Sequence, residues 1–424
     1  MDDYLAVLKK YNFWDGGISD PGITRQSYLS KLSDFQGNRL VKVVTGQRRV
    51  GKSYLLRQVI RELIQKGIPP SNIFYLNKEY TDFDFVSDYH DLDKLIKSYL
   101  ESIQPKGKVF LFVDEIQDII GWEKLVNSYS QNHVEEYEVF MSGSNAHLLS
   151  GELSTLLSGR YVHFEVFPFD YAEYLDSTGL VAGRDSYQQY MMSGGLPELM
   201  HLHHEEMRRN YLSSIRDAIL LRDVVQRFHI KDTRLLEDIF AFLVNNASNL
   251  VSVNNIIQWF KSRNRKTNYE TVSNYIDYLT STYILHRAER YHIKGKEIMA
   301  GNCKYYSNDL SFKNYLYPGF SYGYGYMLEN LVYLHLRRAG FNVYVGFMRN
   351  REIDFVARKG DRTIYVQVAH TLTEPTTIER EYSQLESIDD HFEKYVVSLD
   401  DLPLPNRNGI KHVQAWNFDS VISR

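Results

Sequence analysis

The chain has 424 residues, enough for two to four domains at roughly 100–200 residues each. Its 43% hydrophobic and 24% charged residues exclude wholesale disorder. Forty-nine basic residues against 53 acidic ones give a net charge of −4, which excludes a uniformly basic nucleic-acid coat protein but not a local basic patch. The single cysteine, Cys303, excludes an internal disulfide framework and any Cys-rich zinc module, and it predicts a reducing, cytoplasmic setting. The start, MDDYLAVLKK, lacks the basic and apolar parts of a leader. No run reaches the roughly 18 apolar residues of a membrane span, so no membrane partner is expected.

In chain order, residues 41–200 alternate between strand and helix patterns. VKVVT (41–45), IFYLN (73–77), VFLFV (109–113), YEVFM (137–141) and YVHFEVF (161–167) read as strands. Helices fit 52–65, 88–103 and 122–131 by their apolar spacing. This alternation predicts an α/β fold with a parallel sheet flanked by helices. The pattern changes near Met191 and is helical over 205–245. Residues 233–292 then give three helices and a β-rich tail, an order that resembles a winged helix-turn-helix. From about Tyr322 a helix (326–340), three short strands (341–347, 351–360, 362–370), a helix (377–389) and a strand (394–399) follow. The expected domains are therefore 1–200, 201–320 and 321–424.

GQRRVGKS (46–53) matches G-x-x-x-x-G-K-[ST] between a strand and a helix. Gly46 and Gly51 let the backbone curl so that amides point at phosphate oxygens, and the helix N-terminus adds its dipole. The expected nucleotide-binding residues are Gly46, Gln47, Arg48, Arg49, Val50, Gly51, Lys52, Ser53 and Tyr54. Lys52 supplies charge to the β/γ-phosphates, and the Ser53 hydroxyl is an Mg²⁺ ligand. VFLFVDE (109–115) ends an apolar strand in acids; Asp114 is expected in the Mg²⁺ shell and Glu115 as the general base on water. The strand 73–77 lies between the two motifs in sequence, which fits the branch of P-loop proteins with an inserted strand. Ser142, Ser144 and Asn145 close the next strand, where a small polar group is a candidate for the γ-phosphate or the water. Arg160 is a candidate arginine finger, from this or a neighbouring subunit. ATP and Mg²⁺ are the implied cofactors.

GQRRVGKSYLL, FVDEIQ, SGSNAHLLSGELSTLLSGR, FPFDYAEYL and GGLPE together resemble the bacterial and archaeal AAA+-like ATPases that carry a C-terminal domain of unknown function. That family is akin to the archaeal ATPases related to replication initiators and to the signalling ATPases with numerous domains. LRDVVQR (221–227), TVSNYIDYL (271–279), KYYSND (304–309) and REIDFV (351–356) fit it as well, so the resemblance covers most of the chain. It implies an ATP-binding core, a winged-helix region and a nuclease-like C-terminal fold. GGLPE (194–198) is similar to the Gly-x-Pro element that reports nucleotide state in the relatives. Leu196–Pro197 in place of an arginine there argues against a direct phosphate contact.

REIDFV followed by IYVQV resembles the core of a restriction-endonuclease-like fold. Glu329, Asp354 and Gln367 form a candidate second, metal-binding site. Gln367 stands where a second acid is expected and Ala369 where a lysine is, so the reading is a degenerate nuclease, with Arg358 or Lys359 as substitutes in the rival, active reading. KSRNRK (261–266), Lys294, Lys296, Tyr269 and Tyr275 are a candidate contact for duplex DNA, although many winged helices bind protein. His201, His204 and Glu205 are read as exposed helix residues rather than a metal site. The reading is an ATP hydrolase driving a conformational switch, with a homo-oligomer required if Arg160 acts in trans. Its rivals are a nucleotide-gated DNA-binding or scaffold protein with little turnover, and an ATP-regulated nuclease.

Overall fold

The computed structural model describes residues 2–17, 20–149, 157, 159–318, 323–348 and 351–423. Residues 150–156 and 158 of the SGELSTLLSG stretch, and the expected boundary at 320/321, lie outside the described residues. Contacts divide the chain into two compact units, Met1–Val166 and Phe167–Arg424.

The first unit is built on a sheet of β1 (Val41–Thr45), β2 (Ile73–Asn77), β3 (Val109–Asp114), β4 (Tyr137–Gly143) and β5 (Tyr161–Glu165). The strand order is β2-β3-β4-β1-β5, and every pairing is parallel. β1 to β4 are buried along their whole length, as their unbroken apolar runs demand when helices cover both faces. The helices include α1 (Asp2–Tyr11), α2 (Gln26–Asp34), α3 (Lys52–Gln65), α4 (Tyr89–Ile103) and α5 (Trp122–Gln131). One core gathers Val41, Val43, Phe74, Leu76, Leu111 and Val113 from the strands against α4 and α5. Each such side chain contributes about 1.5–3 kcal/mol by leaving water.

The strand that lies between the two phosphate motifs in sequence, β2, does not lie between them in space. It forms the edge, and β4 separates β1 from β3. The β2 edge is covered by the segment after α1: Asn12 Oδ1 accepts from the Tyr75 N–H (2.7 Å), Asn12 Nδ2 donates to the Tyr75 carbonyl (3.0 Å), and Trp14 Nε1 donates to the Ile73 carbonyl (2.7 Å). These bonds occupy backbone groups that an open edge would offer to another strand. Inside the sheet, Lys42 and Glu138 are fully buried and meet at 2.6 Å, with Lys108 on the other carboxylate oxygen at 2.8 Å.

The second unit holds a mixed sheet in the order β13-β12-β11-β10-β9-β7-β8-β6. Its strands are β6 (Leu250–Val251), β7 (Leu285–His292), β8 (Glu297–Ser307), β9 (Asn342–Met348), β10 (Arg351–Lys359), β11 (Arg362–Val368), β12 (Glu393–Ser398) and β13 (Ile410–Gln414). Ser252 and Asn268 cap the helices Val253–Lys261 and Tyr269–Ser281, which precede the β7–β8 hairpin. Within the stretch expected to be helical, 205–245, Ala218–Gln226 runs as a π-helix with Ile219, Leu220 and Val224 inside.

The three-way division expected from sequence differs from this packing for two reasons. Tyr171, Tyr174, Tyr187 and Tyr190 share one core with Tyr306, Leu331 and Tyr333, so residues from Phe167 on join the second unit. The hairpin is also not a free-standing module. β7 pairs in parallel with β9 through Arg290↔Val345, Tyr291↔Gly346 and His292↔Phe347, fusing hairpin and C-terminal strands into one sheet. The helix Tyr324–Arg338, buried from Met327 to Leu336, packs in that shared core.

Candidate nucleotide site

The turn after β1 curls as the motif requires. Gly46 has φ +147°, and a Cβ there would meet the Val166 carbonyl oxygen at 2.2 Å, so only glycine fits. Gly51, at φ +95°, caps α3. Lys52 Nζ is buried and donates to the carbonyls of Gly46 (3.1 Å) and Gln47 (3.2 Å). It also lies 3.5 Å from Glu115 Oε1. Asp114 ends β3 and Glu115 follows it at the same, carboxyl edge of the sheet, with β4 between β3 and β1.

Asp114 is enclosed by donors. Asn77 Nδ2 (3.0 Å) and the Tyr75 hydroxyl (3.2 Å) donate to Oδ2, and the Ser142 hydroxyl donates to Oδ1. Burial pushes its carboxyl above the ordinary range, helped by the neighbouring Glu115 charge and opposed by hydrogen bonds from Ser142 and Ser53 and by Lys52. Glu115 is equally buried, yet its carboxyl falls below the ordinary range. Desolvation opposes this; the Lys52 charge, the Gln117 amide, Arg48 and Ser144 outweigh it. The Glu115 backbone is left-handed, at φ 55°, and its N–H donates to Ser142 Oγ at 3.2 Å.

The other expected residues are placed as follows. Ser53 lies within hydrogen-bonding reach of Asp114, and Ser144 within reach of Glu115. Val50 and Asn145 are fully buried, and the Asn145 carbonyl accepts from Leu148. Arg48 reaches away to Glu79 (2.5 Å), Arg49 is exposed at φ 68°, and Tyr54 is half-exposed with the Arg57 guanidinium over its ring (4.3 Å). Arg160 is exposed and precedes β5; its carbonyl accepts from Val41, the first residue of β1. It therefore sits at the amino edge of the sheet, the length of a strand from the phosphate loop of its own chain.

Sequence reasoning missed Asn77, Tyr75, Gln117 and Arg25. Asn77 carried a signal, a polar residue closing an apolar strand, and its register partner is Asp114. Arg25, distant in sequence, holds the loop by donating to the Val50 carbonyl (3.0 Å).

The donor set fits Mg²⁺: a serine hydroxyl and a carboxylate are hard oxygen ligands, and this cation keeps most of its shell as water and phosphate oxygen. The raised Asp114 carboxyl fits too, because a buried negative charge lacks the compensation a cation would bring. Among the described residues, no group of three or more His, Cys, Asp and Glu side chains could hold a metal ion, which includes the His201–Glu205 stretch.

The C-terminal constellation assembles around a residue the motif did not contain. Lys304, on β8, is buried and lies 2.9 Å from Glu329, 2.7 Å from Glu352 and 3.9 Å from Asp354. Tyr306 donates to Glu329 (2.8 Å), the Val368 N–H to Asp354 Oδ2 (2.8 Å), and Gln367 Oε1 accepts from the Asp354 N–H (3.3 Å). The three expected residues do meet: Glu329 and Asp354 flank the Lys304 ammonium in an ion-pair knot, and Gln367 bonds the Asp354 backbone. Arg358 lies over the Tyr291 ring, and Lys359 donates to the Ala339 carbonyl. Burial raises the Glu329 and Asp354 carboxyls, and the Lys304 charge opposes this. A cleft of about 600 Å³ beside the knot is lined by Arg351, Glu352, Asp354, Gln367, Arg380 and Glu381.

The basic cluster is partly spent. Arg263 lies on the Trp259 ring (3.7 Å), and Arg265 pairs with Asp232 and Asp238. Tyr275 belongs to the core rather than to a contact surface. Lys261, Lys266, Lys294 and Lys296 are exposed, but the exposed face of the helix Tyr269–Ser281 carries Tyr269, Glu270, Asn274 and Asp277 and no cation. GGLPE lies in the second unit, where the Gly195 N–H donates to the buried Asp309 (2.7 Å).

A family model described as an AAA domain matches residues 38–175. A protein of Haemophilus influenzae, described as uncharacterised, is 36% identical over 90% of this chain and 94% of its own length. The chain belongs to the AAA+-like P-loop ATPase family. An uncharacterised protein of Methanocaldococcus jannaschii is 30% identical over 87% of this chain and 80% of its own. A second family model, a domain of unknown function (DUF8612), matches residues 184–321. Among solved structures, the Aeropyrum pernix ORC1 protein in complex with DNA is 12% identical, covers 74% of this chain and 96% of its own, and has a TM-score of 0.35, too slight a likeness to carry function. The parallel five-stranded sheet with flanking helices is the P-loop NTPase fold. No helix among the described residues is long and apolar enough to cross a membrane.

Proposed function

We propose that the chain hydrolyses MgATP and uses the cycle to switch its conformation. One observation carries this: Lys52, Asp114 and Glu115 converge at the carboxyl edge of the sheet, with the Lys52 ammonium 3.5 Å from the Glu115 carboxylate. Backbone amides of 46–53 and Lys52 bind the triphosphate. Ser53 and Asp114 hold Mg²⁺, which when bound neutralises charge on the β- and γ-phosphates. Glu115 takes a proton from water as its oxygen attacks the γ-phosphorus; the bond to the β-phosphate oxygen breaks, giving ADP and inorganic phosphate. Lys52 leaves its resting contacts to reach the phosphates, which supports coupling of binding to movement of the loop. Arg160 serves only from a second copy, which makes turnover dependent on protein concentration. The setting is a reducing, cytoplasmic one.

Calorimetry with MgATP on wild-type chain and the Lys52→Ala variant tests binding. Phosphate release by the Glu115→Gln variant tests the base. Binding that survives Lys52→Ala, or turnover that survives Glu115→Gln, defeats the assignment.

For the region 233–307, a winged-helix reading keeps its order of elements, and the exposed face of the helix Tyr269–Ser281, which has no Lys or Arg of its own and whose Asp277 is paired with Arg287, favours a protein partner over duplex DNA. Phosphate release measured with and without duplex DNA separates the two, since a DNA effect would fall steeply with salt. The Lys304 knot supports a degenerate nuclease fold kept for assembly.

A further inference from the structure

We propose that Gln117 is a positioning residue of the ATPase centre: its side-chain amide holds the Glu115 carboxylate in the orientation from which it activates water. This rests on the role given to Glu115 above.

Glu115 occupies the left-handed region (φ 55°, ψ 47°), a conformation that costs a non-glycine residue about 1–2 kcal/mol and is typical of functional sites. It opens a single 3₁₀ turn, Ile116–Asp118, and that turn brings Gln117 back over it. Gln117 Nε2 donates to Glu115 Oε2 at 2.6 Å. The other oxygen, Oε1, faces Lys52 Nζ at 3.5 Å. The two contacts have different fates in a cycle. Lys52 is drawn to the phosphates when nucleotide arrives. Gln117 belongs to the same turn as Glu115, so its grip does not depend on nucleotide. Once the lysine has gone, the amide is what keeps a carboxylate on a three-torsion side chain from turning away. A neutral donor suits the task, because a cation there would hold the proton acceptor in a permanent ion pair.

The fold also reserves room for this side chain. A Cβ on Gly143 would sit 2.5 Å from Gln117 Oε1 and 3.0 Å from Leu148 Cδ1. Gly143 does not have a positive φ, so space rather than backbone conformation accounts for the glycine. Gly143→Ala therefore displaces Gln117 without removing any functional group.

The test compares wild type with Gln117→Ala, Gln117→Glu, Gly143→Ala and the Gln117→Ala/Gly143→Ala double variant in the full chain. MgATP affinity is read by calorimetry, melting temperature by scanning, and kcat by phosphate release at saturating ATP. Affinity is expected to stay within about two-fold. kcat is expected to fall about 10- to 100-fold in Gln117→Ala. Gln117→Glu should fall further, since it sets a like charge against the base. Gly143→Ala should fall too, and the double variant no lower than Gln117→Ala alone. Wild-type kcat in Gln117→Ala, losses in the two single variants that multiply, or a kcat loss matched by equal losses of affinity and melting temperature overturns the proposal. A wild-type chain that binds MgATP but releases no phosphate defeats the ATPase reading itself, and this proposal with it; turnover that survives intact in Gln117→Ala defeats this proposal alone.

Discussion

At the scale of single residues, the site is held by opposing pulls on two adjacent carboxylates. Asp114 is pushed toward its neutral form by burial, while Glu115, just as buried, is kept ionised by Lys52 and its other donors. Lys52→Ala is expected to weaken MgATP binding about 100-fold or more, because it removes the buried ammonium of the phosphate cradle; titration calorimetry reads this directly. Glu115→Gln is expected to leave binding near wild type and to lower kcat by about 10²–10⁴-fold, the usual worth of a general base. Much of this was legible beforehand, because phosphate chemistry fixes residue types at short spacing: Gly46, Gly51, Lys52 and Ser53 lie within eight positions. Asn77, Tyr75 and Arg25 were not legible, because they reach the site through strand register and chain crossing rather than spacing.

At the scale of elements, strands and helices of the first unit fell close to their expected bounds, since fully buried strands are unbroken apolar runs. The sequence could not say which strand lies beside which, so β2 moved to the edge. The buried Lys42–Glu138 pair joins β1 to β4 toward the amino end of the sheet. Glu138→Gln leaves Lys42 and Lys108 without their counter-charge and is expected to cost about 3–5 kcal/mol; a Lys42→Met/Glu138→Leu pair should cost less than either charge removal alone. Urea unfolding measures both. In the second unit, His412 Nδ1 accepts from the Leu404 N–H (2.8 Å), so the ring is neutral and donates from Nε2 to Ser398 Oγ (2.8 Å). Burial lowers its pKa below the ordinary 6.5, against the pull of Asp400. A lowered histidine gives stability that is present above the unfolded value and is lost as pH falls below it. The melting temperature should therefore drop between about pH 7 and pH 5, and His412→Gln should flatten that slope.

At the scale of the whole molecule, the second unit was the less legible half. Its strands were visible one by one, but the joint between them rests on β7 meeting β9 across more than 50 positions and on Lys304 meeting acids from a helix and a separate strand. Lys304→Met should destabilise by about 3–5 kcal/mol at neutral pH, because it strands buried carboxylates. Glu329 and Asp354 already have raised pKa values, and a raised carboxyl favours the folded state at low pH and loses that contribution as pH rises through it. The variant should thus recover part of its loss on acidification, the opposite slope to that of His412. Incubation of wild type with Mg²⁺ or Mn²⁺ and plasmid should give no cutting; metal-dependent cleavage abolished by Asp354→Ala would reverse the degenerate reading.

The β7–β9 seam has a practical corollary for anyone who would dissect this chain. Scissors applied near position 320, where one family match stops, would tear a continuous ladder between two of its rungs. Each piece would then carry a raw, sticky border, the form in which polypeptides clump. A cut after Val166 leaves that ladder whole.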